Sequence, residues 1–88
     1  MEPAVAFGFV LRRLRQEAGL TQEQLGLEAD LRRTYVSILE LGQQQPTLTT
    51  ILKLAGPLRQ PAHELVRLVE QEVEEAAGRR RSSRPSDR

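Results

Sequence analysis

Residues 22–40 read QEQLGLEADLRRTYVSILE, and their apolar positions are spaced for two short helices rather than one long one. Leu25 and Ala29 fall four apart, on one face of a helix; Val36 and Leu39 fall three apart, on one face of another. Leu31 lies between them, where a turn residue can plug the angle between the helices. Gly26 follows Leu25 at a place where any larger side chain would hold the second helix away. Two short helices meeting at a tight turn over a small residue make a helix-turn-helix. The second helix of such a unit has the dimensions to enter a DNA major groove.

The flanking sequence extends this unit into a five-helix, all-α domain. Pro3 suits the first turn of a helix running to Ala18, with Phe7, Leu11, Leu14 and Ala18 as its apolar stripe and Gly19 as its stop. Phe9 and Val10 fall off that stripe, as the border of a broader apolar face or as contacts to a second copy. Thr21 with Gln24 three residues on forms a capping box for the second helix, about Gln22–Ala29. The third helix is expected over about Arg33–Leu41, ending at Gly42. Thr47 caps a fourth, with Leu48, Ile51, Leu52 and Ala55 expected inward, until Gly56-Pro57 interrupts it. A fifth runs from about Ala62 to Ala77. Its Leu65 and Leu68 complete the core, and its Val69, Val73 and Ala76 form a thinner stripe among glutamates. That stripe is the expected dimer interface, against a helix fraying into solvent as the alternative. Residues 78–88, RRRSSRPSDR after Gly78, have no apolar side chain and read as a disordered basic tail beyond the 1–77 domain.

Composition removes most other classes. The chain has 88 residues, enough for one small core. Aromatic residues are 3% of it, too few for a base-stacking platform of the kind that reads single strands. It has no cysteine, hence no disulfide and no thiolate metal site. No apolar run is long enough to span a membrane, and no signal-peptide pattern opens the chain, so a cytoplasmic location, on the nucleoid when bound to DNA, is expected. The net charge is only +1, unevenly placed: residues 61–77 carry five Glu against one Arg, and residues 78–88 carry five Arg against one Asp. So small a positive footprint implies that DNA affinity requires two copies. His63 is the sole histidine and has no second ligand in the pattern, so no metal or other cofactor is expected. Nothing resembles a nucleophile turn, and no catalytic residues are assigned.

In order and spacing, Arg15 and Gly19, then Thr21, Gln22 and Leu25, then Leu39, Glu40 and Gly42, then Pro46, Thr47 and Leu48 resemble the Cro/C1-type helix-turn-helix family, also called XRE or lambda-repressor-like. The likeness runs from about Phe7 to Leu65. The RTYVS form of the third helix is similar to that of small bacterial and phage regulators, including restriction–modification controller proteins. The resemblance implies that Arg15 and Glu40 form a structural salt bridge; if buried, removal of one partner would strand the other at a cost of ~3–5 kcal/mol. It implies that Gln22 binds phosphate at a helix N-terminus and that Gln43 and Gln44 meet the sugar–phosphate backbone. The chain departs from the pattern in four places. Asp30 stands where the family has Gly at the turn. Arg32 replaces a Ser or Thr cap, leaving the third helix less firmly started or capped by Asp30 instead. Arg59 and Gln60 replace a Gly and a β-branched residue, and Ile38 and Leu41 stand where polar or basic side chains are common.

The third helix carries the candidate base contacts: Arg32, Arg33, Thr34, Ser37 and Ile38, with Tyr35 at the edge as a backbone contact. Arginine can donate twice to guanine O6 and N7, while hydroxyls and methyl groups read adenine and thymine edges. The reading is a sequence-specific, double-stranded-DNA-binding transcriptional regulator. It would repress by occupying a near-palindromic operator as a homodimer, with half-sites ~34 Å apart. The alternative is a helix-turn-helix used for protein contacts, such as an antitoxin component, with Ile38 and Leu41 as its exposed apolar contacts.

Overall fold

A computed structural model of the chain describes residues 1–82, which fold into five helices with no strand among them. They are α1 (Pro3–Glu17), α2 (Gln22–Ala29), α3 (Arg33–Glu40), α4 (Leu48–Ala55) and α5 (Ala62–Ser82). Helices α1 and α5 pack together along their length, α3 crosses α1, and α2 and α4 close the remaining sides. The core is aliphatic: Val10, Leu11, Leu25, Val36, Leu39, Leu54 and Leu65 are almost wholly withdrawn from solvent, with Phe7, Leu14, Ala29 and Leu58 around them. Val10 therefore belongs to the core, whereas its neighbour Phe9 is 54% exposed.

The first four helices end in one backbone device. In each, a residue just past the last turn takes a left-handed conformation: Gly19, Asp30, Gly42 and Arg59, at φ between 58° and 74°. The following N–H then reaches back across the turn, as in Leu20 N to Arg15 O at 3.1 Å and Gln60 N to Ala55 O at 3.0 Å. Glycine accepts this conformation freely, and Asp tolerates it better than most residues. Arg59 has no such excuse. Its backbone takes the shape a glycine would, which is why the α4–α5 junction closes despite an unfamiliar sequence.

Two helix starts are capped as expected. Thr21 Oγ1 accepts from Gln24 N at 3.0 Å while Gln24 Oε1 accepts from Thr21 N at 2.9 Å, and Thr47 Oγ1 accepts from Thr50 N at 3.1 Å. Helix α3 begins at Arg32 with no side-chain cap. Asp30 does not supply one: its carboxylate is exposed and faces Lys53 Nζ at 3.7 Å. At the start of α5, Arg67 donates twice to Glu64, at 2.7 and 2.8 Å, and this hydrogen bonding holds the Glu64 carboxyl below the usual carboxylate range.

Two expectations require correction. Helix α4 does not bury Leu48 and Leu52, which are 72% and 58% exposed; it buries Thr50 and Leu54, with Ile51 and Ala55 half-covered. With apolar residues on most sides of the helix, burial contrast does not choose its face, and the hydrogen-bonded hydroxyl of Thr50 lets a polar residue turn inward. Helix α5 does not stop at Ala77 but continues to Ser82. Gly78 alone costs a helix only about 1 kcal/mol, and the arginines after it favour helix. The rest of the expected basic tail, residues 83–88, lies outside the described residues.

Candidate nucleic-acid interface

The helix-turn-helix is built by a close approach. A Cβ on Gly26 would meet Leu31 O at 2.7 Å, so the turn lies against the middle of α2 and only glycine admits it. Leu31 packs on the core from the turn, and Val36 and Leu39 fix the inner face of α3. The outer face is thereby decided: Arg33 and Thr34 are exposed, Ser37 and Ile38 half-covered.

These four side chains and Gln22 line one open surface concavity of about 480 Å³. Two charged or amide groups, two hydroxyls and one aliphatic side chain thus converge on a shallow trough along a helix of major-groove size. Arg32 is not among them; it is exposed beside Leu27, Asp30 and Leu31, where a second concavity opens on the turn. Ile38 lies in the trough as a half-covered contact rather than standing proud, while Leu41 is 66% exposed beyond the end of α3.

A buried polar network holds the trough in place. Arg15 Nε donates to Glu40 Oε2 at 2.6 Å and Nη2 to Oε1 at 3.1 Å, with the two side chains only 12% and 5% exposed. Arg15 Nη1 also donates to Leu20 O at 2.9 Å. The same Glu40 Oε1 accepts from Gln22 Nε2 at 3.0 Å. One carboxylate therefore ties the end of α1, the start of α2 and the end of α3 together, and a paired guanidinium fork is the geometry best suited to do so. Gln22 is fixed by this bond, and its second Nε2 hydrogen remains at the edge of the trough. The other expected backbone contacts are distributed differently. Gln43 and Gln44 are exposed in the loop after α3. Tyr35 is half-buried against the core, and its hydroxyl lies 3.3 Å from Thr50 Oγ1 on α4.

The sequence missed Gly8. It is buried in α1, and a Cβ there would meet Glu40 O at 2.6 Å and Leu39 O at 2.8 Å, so α1 and the end of α3 touch backbone to backbone. A glycine in the middle of an otherwise good helix was the available signal. The expected dimer stripe also looks different in place. Val69 packs on the chain's own core, and Val73 and Ala76 are half-covered within the single chain.

A fold of this order, with a turn clamped against α2 and an open outer face on its third helix, defines a helix-turn-helix protein. The chain belongs to the helix-turn-helix family HTH_3, of XRE type, whose model matches residues 11–65. That membership places it among helix-turn-helix transcriptional regulators. It is 43% identical over 54 residues to the uncharacterized HTH-type transcriptional regulator y4dJ of Sinorhizobium fredii, covering 61% of this chain and 70% of that protein. It is 35% identical over 69 residues to the control protein C.MunI of a Mycoplasma species, covering 77% of this chain and 93% of that one. Among solved structures, the restriction-modification controller protein C.AhdI of Aeromonas hydrophila superposes with a TM-score of 0.68 at 45% identity, over 70% of this chain and 94% of that chain.

Proposed function

We propose that the chain regulates transcription by binding double-stranded DNA in a sequence-specific way, as a homodimer, and that it represses by occupying a near-palindromic operator. The observation that carries this reading is the trough: Gln22, Arg33, Thr34, Ser37 and Ile38 share one concavity on the outer face of α3. Arg33 and Thr34 would read base edges, with Ser37 and Ile38 contributing a hydroxyl and an aliphatic contact, the latter to a thymine methyl. Gln22, Gln43 and Gln44 would fix register on phosphates. No catalytic role is proposed; the family supplies a binding surface, and His63 is exposed at the start of α5.

A second copy is required by arithmetic: one eight-residue helix with two exposed arginines at its start gives too few contacts for a specific complex. We place the two-fold contact on α4 and α5. Leu48 and Leu52 share an exposed side of α4, and Ile51 beside them lines an apolar recess with Val66, Val69, Pro46 and Phe7. Contiguous exposed apolar surface of this kind marks an interaction site.

The test replaces Arg33 and Thr34 by Ala, singly, and measures binding to the chain's own promoter region against a scrambled duplex. Each variant is expected to keep the wild-type melting temperature. Arg33→Ala should lose about 1–3 kcal/mol of discrimination between the two duplexes. Unchanged discrimination would sink the DNA reading and favour the protein-contact alternative, with Leu41, Leu48 and Leu52 as the surface to pursue. Among the described residues no helix is long and apolar enough to cross a membrane.

A further inference from the structure

We propose that Thr50 is a positioning residue for DNA binding: a chain of three hydroxyls, Thr47 to Thr50 to Tyr35, turns the Tyr35 phenol outward as a donor to a DNA phosphate. The inference rests on the DNA-binding reading above and adds to it a residue that never touches DNA. Thr50 is a polar residue taken into the core, at 5% exposure. Its Oγ1 has two hydroxyl neighbours. Thr47 Oγ1 donates to it at 3.0 Å, and Tyr35 Oη lies 3.3 Å away.

The direction of the chain follows from counting protons. Thr47 Oγ1 already accepts the Thr50 backbone N–H at 3.1 Å, as the N-cap of α4, and gives its own proton to Thr50 Oγ1. The Thr50 hydroxyl has one proton of its own to place, and Tyr35 Oη is the acceptor in reach. Were Tyr35 to donate instead, Thr50 Oγ1 would receive two protons and its own would be buried without an acceptor, a costly arrangement. Tyr35 Oη then accepts on its inner side, and its O–H points away from the core. Each bond in such a row polarises the next, so the outer donor is strengthened. Phosphate oxygens accept hydrogen bonds and cannot donate, and Tyr35 stands at the edge of the helix that carries Arg33 and Thr34. An outward phenol donor at this place fits the backbone of a duplex whose bases lie in the trough.

The experiment uses the full chain, its promoter-region duplex and a scrambled duplex. Thr50→Val keeps the side-chain shape and deletes the hydroxyl, Thr50→Ser keeps the hydroxyl, and Tyr35→Phe deletes the outer donor. Thr50→Val and Tyr35→Phe are each expected to weaken specific binding about three- to tenfold. Their combination should be no weaker than Tyr35→Phe alone, and Thr50→Ser should bind as the wild type does. The slope of affinity against salt should not change, because no charge is removed. Wild-type binding by Thr50→Val overturns the proposal, and so does full additivity of the two losses, since a merely structural Thr50 would act equally well on a phenylalanine. Absence of any specific complex with the wild-type chain overturns the DNA-binding reading itself, and the inference with it.

Discussion

At the scale of the residue, the clearest anomaly is Arg59, an arginine at φ 60°. An L-residue pays roughly 1–2 kcal/mol for this conformation, whereas glycine adopts it without steric cost but with a freer unfolded chain. The Arg59 side chain is exposed, so little packing is lost with it. Arg59→Gly should therefore raise stability by about 0.5–1 kcal/mol, seen as a higher urea midpoint with an unchanged slope. A fall in the midpoint would mean that the arginine side chain contributes more than its backbone costs. Asp30 holds the same conformation and should gain less from glycine, because short polar side chains visit that region more readily. Its exposed pairing with Lys53 at 3.7 Å has little to add.

At the scale of the element, what matters is which helices touch and through what. Helix α1 meets the end of α3 at Gly8, backbone to backbone, and the Arg15–Glu40 pair bridges the same two helices further along. Gly8→Ala would gain about 1 kcal/mol of helix propensity, yet the methyl has 2.6 Å to the Glu40 carbonyl and no flexible side chain to displace. The net expectation is a loss of about 1–3 kcal/mol, measured by chemical denaturation; a gain would show that α1 can slide. The elements themselves were legible because each carried its own signals: the Thr21 and Thr47 caps, the Gly19 and Gly42 stops, and the split periodicity over residues 22–40. The helix-turn-helix and the shared face of Arg33, Thr34, Ser37 and Ile38 followed from that periodicity. What was not legible depended on neighbours distant in sequence. The inward face of α4 is not legible because Leu48 and Leu52 look as buriable as Leu54, and the hydroxyls of Thr47 and Tyr35 that partner Thr50 explain why it turns in. Arg32, a candidate base contact from sequence, stands at the N-cap of α3 and borders the concavity on the turn with Leu27, Asp30 and Leu31. Val69 is legible in sequence only as part of a stripe along α5; in the fold it packs partly on the chain's own core and also borders the open recess beside Ile51 and Val66.

At the scale of the whole molecule, symmetry constrains where the second copy of the proposed dimer can sit. The described residues span 51 Å along one axis and 23 Å across, because α5 continues past the packed core. The proposed two-fold contact must set two copies of α3 about 34 Å apart along a duplex, each facing a major groove. The exposed α4 leucines with Val66 offer a self-complementary apolar face on the core itself, whereas the far part of α5 is lined with glutamates that would oppose their own copies. Leu52→Glu places a charge on the first face at a position already 58% exposed, so the folded chain should tolerate it while the dimer does not. The expected result in sedimentation is a monomer at concentrations where the wild type forms the proposed dimer. DNA binding by the variant should fall about a hundredfold or more, since the second half-site no longer benefits from the first. Ala76→Glu, on the stripe along α5, should leave both measurements as they are. The reverse outcome, dimerisation lost with Ala76→Glu and kept with Leu52→Glu, would move the two-fold axis to the end of α5 and require the half-site spacing to be derived from that contact instead.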